Sequence, residues 1–419
     1  MAAPWWRQCR IWTTNSSNFT LHETVRYFSS GLVSTSVSSP RRASVSSTPG
    51  SAVQLTFHLA DPNSIFNSYL SRHKSWFLYS TPQPCSYRLL HSDAKLKDPF
   101  KLAQKDLANL YDDIKKDLLG SKAELKYLCD YYFDGKGKAF RPMIVILMAR
   151  AMNIHSNRAG DLLPGQKAVA MISEMIHTAS LVHDDVIDGS DKRRGKRTIN
   201  DVWGERKAIL AGDFILSAAS MALARIGSNA VVTTLCSALE DLVKGEFMQL
   251  GSKENENERF KHYLEKTFKK TASLIANSCK AVSVLVNSDP EAHEIAYQYG
   301  RNVGIAFQLV DDVLDFTSGV NQLGKPVAAD LKLGLATGPV LFACQQFPEL
   351  HAMIMRRFSS KGDVDRAWQY VLQSDGVEQT NFLAQRYCQE AIRHISMLSP
   401  SAERDALIQL TQMVLNRDK

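Results

Sequence analysis

The chain has 419 residues, 44% of them hydrophobic and 22% charged, which is too much apolar material for a disordered protein. Its net charge of +7 is uneven: residues 1–92 hold eight Lys or Arg against two acids, Glu23 and Asp61, so the remainder is close to neutral and nucleic-acid binding is excluded as the main role. Seven cysteines lie far apart without a CxxC pair, which argues against a disulfide scaffold or a zinc site.

Residues 1–92 come first and read differently from the rest. Nineteen of the 92 are serine, arginines recur, and no helical repeat is sustained. This composition predicts a mitochondrial transit leader, delivering residues 93–419 to the matrix side as one domain. From Asp93 onward apolar residues recur three and four apart, beginning with Leu102, Leu107, Leu110, Ile114 and Leu118. The same spacing predicts helices over 141–152, 166–188, 206–225, 231–250, 260–285, 290–316, 377–398 and 402–415. Gly and Pro predict loops at 135–142, 189–195 and 319–339. The fold class is all-α: a single large helical bundle around an apolar cavity. The most apolar stretch, 143–152, falls well short of the ~20 residues that span a bilayer, leaving at most peripheral membrane contact.

Two predicted helices end in similar acidic motifs. The first reads His183-Asp184-Asp185-Val186-Ile187-Asp188; the second reads Gln308-Leu309-Val310-Asp311-Asp312-Val313-Leu314-Asp315. In each, the outer aspartates are four apart and share a helix face. Like charges repel there, and the negative end of the helix dipole disfavours them further. A costly arrangement that occurs twice asks for a cation, and hard carboxylate oxygens suit Mg²⁺, which prefers to share itself with phosphate oxygens. Basic runs with glycine stand close in sequence: Gly135-Lys136-Gly137-Lys138-Ala139-Phe140-Arg141-Pro142 and Lys192-Arg193-Arg194-Gly195. Guanidinium forks and ammonium groups on such backbone are what a diphosphate needs.

These paired motifs, with GKxxRP and RRG, resemble the isoprenyl diphosphate synthases, or trans-prenyltransferases, over roughly residues 95–419. The tracts 132–138 and 251–258 resemble the long-chain branch that makes ubiquinone side chains. The resemblance implies an enzyme that ionises an allylic diphosphate with Mg²⁺ and condenses the cation with isopentenyl diphosphate. It implies that Asp184 and Asp188, supported by Asp185, form one metal site and that Asp311, Asp312 and Asp315 form the other, with Asp184, Asp188 and Asp311 as the metal ligands. Lys138, Arg141, His177 and Arg194 resemble the isopentenyl diphosphate pocket. Arg193, Lys270, Thr271, Gln308 and Lys325 resemble contacts to the allylic diphosphate, Lys270 among the catalytic groups.

The growing chain is expected to run along the helix ending at Asp184, where Ala179 and Ser180 are small and leave room for a C40–C50 product. One departure stands out. Where the family carries a Gly-Lys pair before Thr-Leu-Pro, this chain reads Gly334-Leu335-Ala336-Thr337-Gly338-Pro339. The lost lysine implies a second, dissimilar subunit in a hetero-oligomer, a heterotetramer by the same resemblance. Two other readings stay open: a non-catalytic subunit of such a synthase, and a terpene cyclase, against which the second complete aspartate motif argues.

Overall fold

Asp98 starts the first helix, α1 (Pro99–Leu107), by accepting a hydrogen bond from Phe100 N at 3.0 Å, and Pro99 occupies a first-turn position that needs no N–H. The computed structural model describes residues 98–118, 131–133, 139–193, 195–251, 255–286, 288–317 and 328–417. These lie in the unit Leu78–Lys419. The leader, Lys138, Arg194 and Lys325 lie outside the described residues.

Helices follow in the predicted order: α2 (Leu110–Leu118), α3 (Phe140–His155), α4 (Pro164–Ile187), the short α5 (Ile199–Trp203), α6 (Glu205–Arg225), α7 (Asn229–Gln249), α8 (Glu256–Thr267), α9 (Ser273–Val284) and α10 (Pro290–Thr317). After these come α11 (Ala329–Lys332), α12 (Gly338–Ala343), α13 (Glu349–Met355), α14 (Asp363–Gln373), α15 (Gly376–Ile395) and α16 (Ala402–Leu415). The long helices match the apolar periodicity to within a few residues. The predicted helix 260–285 is instead α8 and α9 joined by a π-helical turn, Phe268–Ala272. Its looser i→i+5 bonding re-aims the side chains that follow. The expected loop 189–195 opens a two-residue hairpin, β1 (Lys192–Arg193) with β2 (Lys196–Arg197), in which Arg193 pairs with Lys196. Of the expected loop 319–339, residues 319–327 lie outside the described residues, and the rest holds α11 and the start of α12, elements too short for periodicity to reveal.

The core lies where α3 and α9 pack between α4, α7 and α10, while α10 also packs on α15 and α4 on α6. Met143 through Ala149 and the α9 residues Ile275, Ala276, Cys279 and Val282 are fully buried. Two glycines set the distances that matter for the site. A Cβ on Gly304 of α10 would stand 2.6 Å from Ala272, and one on Gly245 of α7 would stand 2.9 Å from Lys270 N. Both helices therefore press directly against the π turn. Among the described residues, α6 alone is long and apolar enough to cross a membrane. That departs from the sequence expectation, and the reason is its alanine content: Ala208, Ala211 and Ala219 are buried against neighbouring helices as core contacts.

Candidate active site

The two aspartate motifs meet at the π turn. Lys270 Nζ lies 3.9 Å from Asp184 Oδ2 and 3.0 Å from Glu246 Oε2, and it donates to Gln249 Oε1 at 3.2 Å. The next residue, Thr271, donates to Gln308 Oε1 at 2.9 Å, and Gln308 Nε2 donates in turn to Asp312 Oδ1 at 2.9 Å. Consecutive residues thus touch the end of α4 and the end of α10. The close approach permitted by Gly304, one turn before Gln308, makes that contact possible.

Within each motif the three aspartates do different things. The middle ones are buried and already satisfied. Asp185 accepts from Tyr132 Oη at 2.7 Å and from Arg193 Nε at 2.9 Å and Nη2 at 2.8 Å. Asp312 accepts from Tyr263 Oη, from Gln308 Nε2 and, at 3.4 Å, from Gly338 N. A tyrosine hydroxyl therefore seats the central carboxylate of both clusters. Burial and the adjacent carboxylate push both phenols above the ordinary tyrosine range. Burial likewise raises Asp312 to about 6, opposed by its hydrogen bonds.

The outer aspartates differ more. Burial raises Asp184 to about 6 against the pull of Lys270, with Glu246 and Asp188 pushing the same way as burial. Asp188 ends α4, its N–H bonded to Asp184 O at 2.8 Å, and stays half-buried. Asp311 is partly exposed and pairs with Arg417 Nη2 at 2.6 Å. Asp315 binds the amides of Ala329 at 3.1 Å and Asp330 at 3.2 Å, so it serves as an anchor for α11.

Among the described residues no three acids converge on one point tightly enough to hold an ion by themselves, so Asp184, Asp188 and Asp311 do not form one closed three-carboxylate cage. The donor set still fits Mg²⁺. That ion keeps several waters and takes one or two carboxylates at a time, completing its shell with substrate phosphate oxygens. Asp184, a carboxylate whose burial Lys270 offsets only in part, is the clearest place for one.

Arg141 Nη1 and His177 Nε2 lie 2.8 Å apart, bringing together two residues expected in one pocket. Arg193 is held by Asp185, which orients its guanidinium beside Asp184. Ala179 is fully buried, whereas Ser180 is half-buried with its hydroxyl turned to His177 O at 2.8 Å. Several participants escaped the sequence reading: Tyr132, Tyr263, Glu246, Lys266 and Arg417. Tyr263 and Lys266 stand seven and four residues before Lys270, a same-face helical spacing that could have singled them out. Arg417, 106 residues from Asp311, left no local signal.

A family model described as polyprenyl synthetase matches residues 122–371. The chain is 70% identical over 345 residues to the all trans-polyprenyl-diphosphate synthase PDSS1 of Homo sapiens, covering 82% of each chain. It is 42% identical to the decaprenyl-diphosphate synthase subunit 1 of Schizosaccharomyces pombe, over 76% of this chain and 91% of that one. The fold is similar, with a TM-score of 0.69 and 30% identity over 77% of this chain and 97% of the other, to a polyprenyl synthase from Caulobacter crescentus complexed with calcium and isoprenyl diphosphate.

Proposed function

The chain belongs to the polyprenyl synthetase family and is a prenyltransferase, and from that premise we propose that it adds isopentenyl diphosphate units to an allylic diphosphate to make an all-trans diphosphate of C40–C50, decaprenyl in the favoured case. The observation that carries the reading is the junction of both aspartate clusters on Lys270 and Thr271. Asp184 and Asp188 on one side and Asp311 on the other would hold Mg²⁺. Bound there, the metal would neutralise charge building on the departing diphosphate.

The chain's own groups do the rest. Lys270 and Arg193 present fixed positive charge beside Asp184, where the leaving group's oxygens would sit. Asp185 and Asp312, locked by tyrosine hydroxyls, keep each motif's outer carboxylates in register. Arg141 and His177, with Lys138 and Arg194 from the basic runs, would bind isopentenyl diphosphate, and Lys325 would join the allylic side. The packed apolar interior of α3, α4 and α9 keeps water from the allylic cation. Ser180 and Ala179 set how far the chain grows.

In the same proposal, residues 1–92 are a mitochondrial leader, residues 93–419 act at the matrix side, and the product becomes the ubiquinone side chain. The enzyme works with a second, dissimilar subunit. Exposed apolar side chains on α6 and α7 support that partner: Leu210 and Met221 on α6 and Val243 and Phe247 on α7, Leu210 being 60% and Phe247 71% exposed. The deciding assay mixes an allylic diphosphate, labelled isopentenyl diphosphate and Mg²⁺, with and without the partner subunit, and sizes the product. Asp184→Ala and Asp311→Ala should each lower turnover by about a hundredfold or more while far-ultraviolet circular dichroism stays unchanged. Undiminished rates would sink the metal-site assignment.

A further inference from the structure

Lys266 sits on α8, four residues before Lys270 of the π turn, and the charges around it are Asp312 of the second cluster and Asp330 of α11, with Lys270 and Glu246 beyond. Its ammonium lies 5.8 Å from the ring centroid of Tyr263, whose hydroxyl donates to Asp312. Among the described residues no carboxylate lies within ion-pair distance of Lys266, although it is half-buried. A cation partly withdrawn from water without a paired anion is costly unless a ligand supplies one.

The surroundings say which ligand. Lys266 lines a cavity of about 280 Å³ together with Tyr263, Arg259, Arg357 and Leu335. Among the described residues that line it there is no aspartate or glutamate, and the charged ones are Lys266, Arg259 and Arg357. Arg259 is engaged with His351 Nδ1 at 3.0 Å, whereas Lys266 feels the charge of Asp312 first among its neighbours. A cavity whose described charged lining is basic, with Tyr263 leading from it to Asp312, suits an anion that binds both cations and metal, which is the chemistry of a diphosphate.

We propose that Lys266 is a diphosphate-binding residue, reaching from α8 into the cavity lined by Leu335 and holding the leaving group on the side of the second aspartate cluster. Lys270 then serves the first cluster from the π turn and Lys266 the second from the end of α8, four residues earlier. The inference rests on the reading given under Proposed function and adds a residue that the aspartate motifs do not contain. It also accounts for the tolerated leucine at 335, since the positive charge enters the same cavity from another helix.

The test uses the full chain with its partner subunit. Turnover by the unaltered complex secures the broader reading independently, so a failure there is separate from a failure of Lys266. Lys266→Met should raise KM for the allylic diphosphate, and the concentration of inorganic diphosphate needed for inhibition, by about tenfold each, with KM for isopentenyl diphosphate unchanged. Lys266→Met/Leu335→Lys should recover most of that loss, because the new ammonium enters the same cavity. A residue that merely shields Asp312 would lower the melting temperature without this split or rescue, and that outcome overturns the proposal. Should Lys266→Met fold poorly, Leu335→Lys alone decides: a second cation should tighten inorganic diphosphate inhibition severalfold, and unchanged inhibition counts against the cavity as a diphosphate site.

Discussion

The ammonium of Lys270 lies 3.9 Å from Asp184 Oδ2. This one contact explains how a carboxylate at the negative end of a 24-residue helix is tolerated. Lys270 is held there from below by Glu246, which α7 can deliver because Gly245 lets its backbone approach the π turn. The geometry also explains why the clusters act together: Lys270 and Thr271 are neighbours in sequence and cannot move apart.

The tyrosines should show their worth in stability. Tyr132→Phe and Tyr263→Phe each remove the hydroxyl donor of a buried carboxylate, at a cost of about 1–3 kcal/mol. The Tyr263 variant should suffer more, because Tyr263 and Asp312 are both buried whereas Tyr132 is only partly so. Chemical denaturation of the two variants measures this, and equal, negligible losses would contradict it.

Gly304→Ala tests the close approach of α10 to the π turn. A methyl 2.6 Å from Ala272 forces the helices apart, with overpacking costs of about 1–3 kcal/mol. The Thr271–Gln308 hydrogen bond lies one turn away, so KM for the allylic diphosphate should rise as well. A stable variant with unaltered kinetics would show that the spacing is not critical.

Acid should shut the enzyme down near pH 6. Asp184 and Asp312 sit at about 6 rather than 3.8, so protons compete with the cation for Asp184 as pH falls through that value. The rate should therefore rise with pH through about 6, and added Mg²⁺ should move that midpoint lower. Stability runs the other way. The folded state holds these two protons more tightly than the unfolded chain, so their contribution is complete below 3.8 and lost as pH climbs past 6. Metal-free protein should lose stability over that window, and Mg²⁺ with inorganic diphosphate should restore it. Melting temperatures across pH 4–8 would reveal the opposite slope if the assignment fails.

Product length should respond to both small residues on α4, though differently. Ser180→Phe places an aromatic at the position that retains accessible surface and should shorten the product by several isoprene units. Ala179→Phe meets a fully buried site, so shortening there should come with about 1–3 kcal/mol of lost stability. Full-length product from both variants would place the chain's path elsewhere.

Local information determined a great deal here. The order of the long helices, the ends of α4 and α10, and the candidate metal carboxylates could be read from the amino-acid string, because helical periodicity and like-charge spacing are written within a few residues. The helices α13 and α14 escaped that reading. Tertiary packing decided the division of labour among the aspartates. Asp185, Asp312 and Asp315 match Asp184 in type, yet Tyr132 stands 53 residues from Asp185, Tyr263 stands 49 from Asp312, and Ala329 stands 14 from Asp315. Burial and hydrogen-bond partners that distant are properties of helix packing, set by close approaches such as Gly245 and Gly304, and no spacing rule along the chain encodes them.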